Sequence, residues 1–221
     1  MPANSGFLTS TIGKKYFMAI TAIVWSLFVM VHMIGNLLIF IGAEAYNKYS
    51  HALTSNPAIY LIEAFLVGIL LLHAFTGFSL VIRNARTKPK FYAVTPVKEK
   101  SASITSRTMI YTGSIVLAFV IFHLITFKWG PEYFVTYDGI QMRDIYKLVV
   151  EKFHDPVYVG GYCVVMVLIG MHLYHGVQSI FQSLGISHPR YNKFLKYFGY
   201  TYAVIVSAGF FSQPLYIFLA R

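Results

Sequence analysis

Eight histidines are spread along the 221 residues, and five of them fall within long, strongly apolar spans without Asp, Glu, Lys or Arg. These five are His32, His73, His123, His172 and His175. An ionisable side chain inside a membrane segment is costly and by default points to function. A single one is as readily a hydrogen-bonded packing residue. Four separate stretches that each carry one are harder to dismiss. Counting from the basic or polar residue at one end of each stretch gives a depth. His73 stands ten residues before Arg83 and His172 ten before Gln182, which is about 15 Å deep at helical rise. His32 stands 17 after Lys15 and His123 stands 16 after Arg107, or about 24 to 26 Å. The histidines therefore sort into two pairs, His73 with His172 and His32 with His123, on levels roughly 10 Å apart. His175, seven before Gln182, fits the inner level less well.

Paired imidazoles from facing helices at one depth are what a bis-histidine haem requires. Both axial positions are then filled, so such a haem transfers electrons and binds no substrate at iron. Two of them, stacked, would form an electron wire across much of a bilayer. Zinc would want ligands on one level with tight local spacing, often including Cys or carboxylates. Sequence gaps of 41, 50 and 49 residues and two depths argue against it. Gly77 and Gly176 lie four residues after His73 and His172, and Gly35 lies three after His32. Each is one turn along the same face, where it would let a macrocycle approach the backbone. Lys14, Lys15, Arg83 and Arg107 are the inner candidates for partners of haem propionates.

The elements that must position these residues are membrane helices. The chain is 57% hydrophobic and 12% charged, about half the charge of a soluble domain. That excludes a disordered chain, a nucleic-acid-binding tail and an ordinary soluble enzyme. One cysteine, Cys163, excludes a disulfide framework, a CxxC zinc site and a CxxCH haem attachment. The charge-free stretches predict five transmembrane helices at about 16–41, 58–82, 108–127, 157–181 and 198–220. The fold class is therefore all-α, an integral membrane bundle holding two stacked haems, with residues 1–221 as one domain. A barrel would show many short alternating segments instead. The first span is far longer than a signal-peptide core and is expected to be retained.

The N-terminus and the loops 83–107 and 182–197 carry twelve basic residues against one acid, Glu99. The opposite side carries six basic residues and seven acids. The basic side should be cytoplasmic, with the N-terminus inside and Arg221 outside. In the outer connection 128–156, Ile145, Leu148, Val149 and Phe153 share a helical face, which predicts a short helix on the outer surface. No internal repeat stands out.

Several segments together carry a resemblance. They are the one-per-helix histidines of the first four spans, His73-Ala-Phe-Thr-Gly77, Arg107-Thr-Met, His172-Leu-Tyr-His-Gly176-Val-Gln-Ser179, and the stretch from Tyr46 through Asn47, His51 and Asn56 to Pro57. With them the whole chain resembles the five-helix, two-haem cytochrome b subunit of succinate dehydrogenases and fumarate reductases, in its cytochrome b558 type. In that family the fourth ligand is a histidine four residues before a glycine, which selects His172 over His175. The resemblance implies two non-covalent haems b, with His73 and His172 on the inner iron and His32 and His123 on the outer. It implies a flavoprotein subunit with the dicarboxylate site and an iron–sulfur subunit on the cytoplasmic face of a bacterial inner membrane, with no dicarboxylate site on this chain. It also implies a quinone, expected to be menaquinone, drawn from the surrounding lipid. Glu63, ten residues outward of His73, looks like the helix II glutamate of members with an outward quinol site. It would exchange protons with the quinone. The plainer reading is an acid at the positive end of the helix dipole. Some members carry a glutamate two residues before the fourth ligand; here it is Gly170, so inward proton transfer by that residue is unavailable.

Two other readings stand beside this one. One is the cytochrome b subunit of a formate dehydrogenase, nitrate reductase or hydrogenase. The other is a haem-free transporter or scaffold whose histidines relay protons, which would be colourless. No paired broken helices support a transporter.

Overall fold

The computed structural model describes residue 6 and residues 10–87, 104–186 and 188–220. Five helices in it are long and apolar enough to cross a membrane. They are α1 (Thr11–Asn36), α3 (Ile59–Thr87), α4 (Ile104–His123), α6 (Pro156–Ser183) and α7 (Asn192–Leu219). Two shorter helices, α2 (Ala43–Thr54) and α5 (Ile145–Phe153), and a hairpin of β1 (Phe134–Tyr137) with β2 (Ile140–Arg143) complete the described chain.

The spans outrun the apolar stretches that announce them. α1 starts at Thr11, where the Ser10 hydroxyl accepts from the Gly13 amide at 3.0 Å. Lys14 and Lys15 thus lie inside its first turns. Hydropathy marks the hydrocarbon layer, whereas capping marks the helix end. α6 starts where Asp155 accepts from the Val157 amide at 2.8 Å and Pro156 fills the first helical position. α1 closes in a 3-10 turn, Leu37–Phe40, and α4 closes in a π-helical turn, Leu124–Lys128.

Four spans form a frame in which α1 neighbours α3, α3 neighbours α4, α4 neighbours α6, and α6 neighbours α1. α1 faces α4 across one diagonal and α3 faces α6 across the other. α7 packs outside the frame on α6 and α1. Small residues allow that close approach. A Cβ on Gly209 would sit 2.5 Å from the Met33 sulfur, and one on Gly170 would sit 2.9 Å from the Ser207 hydroxyl. Gly170 therefore faces α7, and a glutamate there would have to displace Ser207. Outward faces remain apolar and exposed, as with Leu61 at 76% and Phe75 at 73% on α3, as contact with lipid tails demands.

α2, the hairpin and α5 cover one end of the frame. The expected helix in 128–156 is α5, but its apolar face turns into the protein. Leu148, Val149 and Phe153 are buried, and the latter two share a core with Ile39, Tyr46, Tyr162 and Ile217. α2 was not expected, and it takes in His51. The hairpin turns at Asp138-Gly139, both at positive φ. That is the geometry a two-residue turn needs between strands, and Asp-Gly is its usual sequence. Lys48 of α2 holds the turn, bonding Asp138 at 2.5 Å and Glu44 at 2.6 Å. The two carboxylates, Asp138 first, keep its ammonium above its ordinary range.

Asn47 locks this cap. It is fully buried, donates to Asp144 at 2.8 Å and accepts from the Tyr146 amide at 2.9 Å. Asp144 in turn caps α5 through the Lys147 amide at 3.0 Å. Asn47→Ala strands the Tyr146 amide and takes one of its donors from Asp144, and should cost about 1–3 kcal/mol. A lowered thermal midpoint in detergent, with helicity at room temperature unchanged, is the expected result. An unchanged midpoint would show that the cap contributes nothing.

Candidate functional site

The two diagonals of the frame carry the histidines. His32 of α1 meets His123 of α4 with ring centroids 5.9 Å apart and planes at 88°. His73 of α3 meets His172 of α6 at 6.5 Å and 68°. The depth count and the structure therefore join the same residues. His175, one turn past His172, is not the partner of His73 in this ring pair. A nitrogen ligand lies about 2 Å from its metal and the imidazole centroid about 1 Å further back, so two axial imidazoles on one iron hold centroids about 6 Å apart. Both pairs have that separation.

The inner pair is held from behind. Thr21 of α1 gives its hydroxyl proton to the Phe17 carbonyl at 2.8 Å, and its oxygen lies 3.0 Å from His73 Nδ1. Thr112 of α4 bonds the Met109 carbonyl at 3.1 Å and lies 3.2 Å from His172 Nδ1. A hydroxyl whose proton is committed to a carbonyl can only accept from the ring. Each Nδ1 then carries the hydrogen, and each Nε2 keeps its lone pair for a metal. Gly113 lies beside this contact, because a Cβ there would stand 3.2 Å from His172 Cε1.

The outer pair is held by other groups. The Tyr162 hydroxyl lies 3.3 Å from His123 Nδ1. Asn36 donates to the His32 carbonyl at 2.8 Å and touches His32 Nε2 at 3.4 Å, while Tyr46 donates to Asn36 Oδ1 at 2.7 Å. The long Asn36 contact competes for a lone pair that a metal would use. Phe28 stacks on His32 and Phe119 tilts against His123, each from one turn away.

These contacts reveal a repeat that the sequence reading passes over. Thr21, Phe28 and His32 recur as Thr112, Phe119 and His123, with seven and then four residues between them in both helices. His73 to Gly77 recurs as His172 to Gly176. α1 with α3 thus mirrors α4 with α6. Thr21 to His32 is eleven residues, so the two contact levels are about 16 Å apart along α1. This count along α1 exceeds the expected separation of roughly 10 Å.

The remaining expected residues are distributed as follows. Gly77 makes room for Met18, whose Cε would be 3.0 Å from a Cβ, and Gly176 faces open space. Gly35 lies under the Tyr49 ring, 2.6 Å from a Cβ. Lys14 donates to Ser79 at 2.5 Å, beside a cavity of about 170 Å³ that Phe17, Leu72, Phe75 and Thr76 also line. The Arg83 side chain is exposed on α3. The Arg107 side chain lies outside the described residues, as do Lys88, Lys90, Lys98, Glu99 and Lys100. Glu63 pairs with Lys128 at the end of the π turn, and both are 37% exposed. The first turn of α3 carries no acid, so Glu63 is not the dipole cap that the plainer reading expects. Arg143 fixes the chain around Lys128 by donating to the carbonyls of Lys128, Gly130 and Pro131.

Three observations bear on whether these residues fit a haem. An apolar groove of about 400 Å³ opens between α4 and α6, lined by Phe119, Phe122, Tyr158, Gly161 and Tyr162, and none of the four histidines lines it. Trp25, on the same face of α1 as Thr21 and His32, has a buried Nε1 with no acceptor among the described residues. A buried indole N–H usually has a partner, and a propionate would supply one. Among the described residues no three His, Cys, Asp or Glu side chains gather as a metal-ion site. A porphyrin needs only two protein ligands per iron. The pairs and the unpartnered indole suit such a group.

No family model, curated protein or solved structure matches this chain.

Thr21, Thr112, Tyr162, Lys128 and Trp25 were missed by sequence reasoning. The eleven-residue spacing from each threonine to the histidine on the same helix was a usable signal, since eleven residues are close to three whole turns.

Proposed function

We propose that this chain is a membrane electron-transfer subunit that holds two haems b between His32 and His123 and between His73 and His172. The observation that carries this reading is the pair of diagonal imidazole contacts, 5.9 and 6.5 Å between centroids, on two levels of one bundle. When bound, each haem supplies a one-electron iron couple between a donor on the basic face and a quinone in the bilayer. Thr21 and Thr112 orient the inner imidazoles, and Tyr162 and Asn36 brace the outer ones. Asn36 gives up its long contact with His32 Nε2 and keeps its bonds to Tyr46 and the His32 carbonyl. Glu63 holds or yields a proton at its carboxylate near the outer level, as quinone chemistry requires. The resemblance to the cytochrome b subunit of succinate dehydrogenases and fumarate reductases makes a flavoprotein and an iron–sulfur subunit the proposed partners. The bacterial inner membrane is the proposed location, with the N-terminus cytoplasmic.

A dithionite-reduced minus oxidised spectrum, with a pyridine haemochrome count, tests the reading. Two b-type haems per polypeptide are expected, and succinate should reduce them in the assembled complex. A colourless, folded, partner-assembled preparation would sink the proposal and return the histidines to proton relay or packing.

A further inference from the structure

From the paired hydroxyl contacts at the inner level, we infer that Thr21 and Thr112 are positioning residues that set the redox potential of the inner haem. The inference rests on the bis-histidine reading above. Each hydroxyl is anchored on its own helix by a carbonyl three or four residues back, and each faces an imidazole nitrogen of the opposite diagonal at 3.0 or 3.2 Å. Both threonines are buried, Thr21 to 1% and Thr112 to 5% exposure. Burial keeps water from replacing either hydroxyl as the acceptor of the ring hydrogen. The arrangement is doubled by the repeat, so both ligands of one iron receive the same treatment. At the outer level the Nδ1 contact shown is that of Tyr162 with His123, at 3.3 Å, and the Asn36 contact with His32 falls on Nε2.

An acceptor on Nδ1–H pushes electron density towards Nε2 and makes the imidazole a stronger donor. A stronger donor favours ferric over ferrous iron and lowers the midpoint potential. Removing the acceptor raises it. The two haems of this chain are thus differentiated by their second neighbours, although all four iron ligands are the same residue type.

Redox titration of the full chain, assembled in membranes, tests this. The inner haem is identified as the one retained in His123→Ala. Thr21→Val and Thr112→Val should each raise its potential, and the double variant should raise it further. A tenfold gain in ferrous preference would read as 59 mV for a one-electron couple. The outer potential should stay where it was. Thr21→Ser keeps the hydroxyl and should restore the original value. If Thr21→Val loses the inner haem, a normal potential in Thr21→Ser still supports the assignment, and loss there too overturns it. Unmoved inner potentials in a protein that holds both haems overturn the inference alone. Absence of haem from the unaltered chain overturns the proposed function itself.

Discussion

His123→Ala is expected to remove one of two haems and leave the other in place. The same holds for His32→Ala, because each variant deletes one axial nitrogen of the outer pair. The inner pair stands about 16 Å away along α1 and draws on different residues, His73, His172, Thr21 and Thr112. The haemochrome count should fall from two per chain to one. His73→Ala or His172→Ala should remove the other haem, the one nearer the proposed donor, and block reduction of the remaining outer haem by succinate. A helical protein that loses both haems on a single outer substitution would overturn the pairing.

Glu63→Gln should lower quinone-linked turnover by roughly a hundredfold, the usual scale for a lost acid–base group, with both haem bands intact. Glutamine has the same shape and can still accept from Lys128, but it cannot exchange a proton. Lys128→Met separates the two roles of this pair. It removes the ion pair and leaves the carboxylate free to exchange protons. If Glu63 serves only to anchor α3 to the π turn, both variants should weaken thermal stability, Lys128→Met the more, and neither should slow turnover. Electron-transfer rates from reduced quinone analogues, measured beside thermal melts, distinguish these outcomes. Normal quinone rates in Glu63→Gln would retire the carboxylate role.

The five spans were legible because lipid imposes one demand on every residue it touches, and charge-free length records that demand directly. The histidine pairs were legible because depth along a helix is a simple count. What stayed hidden depends on azimuth, the direction in which a residue points around its helix. Thr21 and Thr112 look like ordinary membrane threonines until the frame brings α1 beside α3 and α4 beside α6. Glu63 could not be given its partner, because Lys128 reaches it only through a π turn that shifts the end of α4. α2 was missed because its apolar face seals protein, so its composition falls below any membrane threshold. Asp138-Gly139 was a readable turn signal between two alternating segments, and it was passed over. The repeat escaped notice because few of its positions recur, among them Thr21, Phe28 and His32 as Thr112, Phe119 and His123.

The eleven-residue interval shared by α1 and α4 has a consequence for how the bundle tolerates change. At 100° per residue, eleven residues bring a side chain back to within about 20° of its starting direction. Both levels can therefore be served by straight helices without a supercoil to keep them in line. Inserting or deleting one residue between Thr21 and His32 would swing the outer imidazole by about 100°, out of the bundle and into lipid. Four residues would nearly preserve the direction but displace the ring by about 6 Å along the axis, past its partner on α4. The interval thus works as a ruler with two readings, angle and height. Drift in the intervening side chains leaves both readings intact, whereas any change in their number spoils at least one.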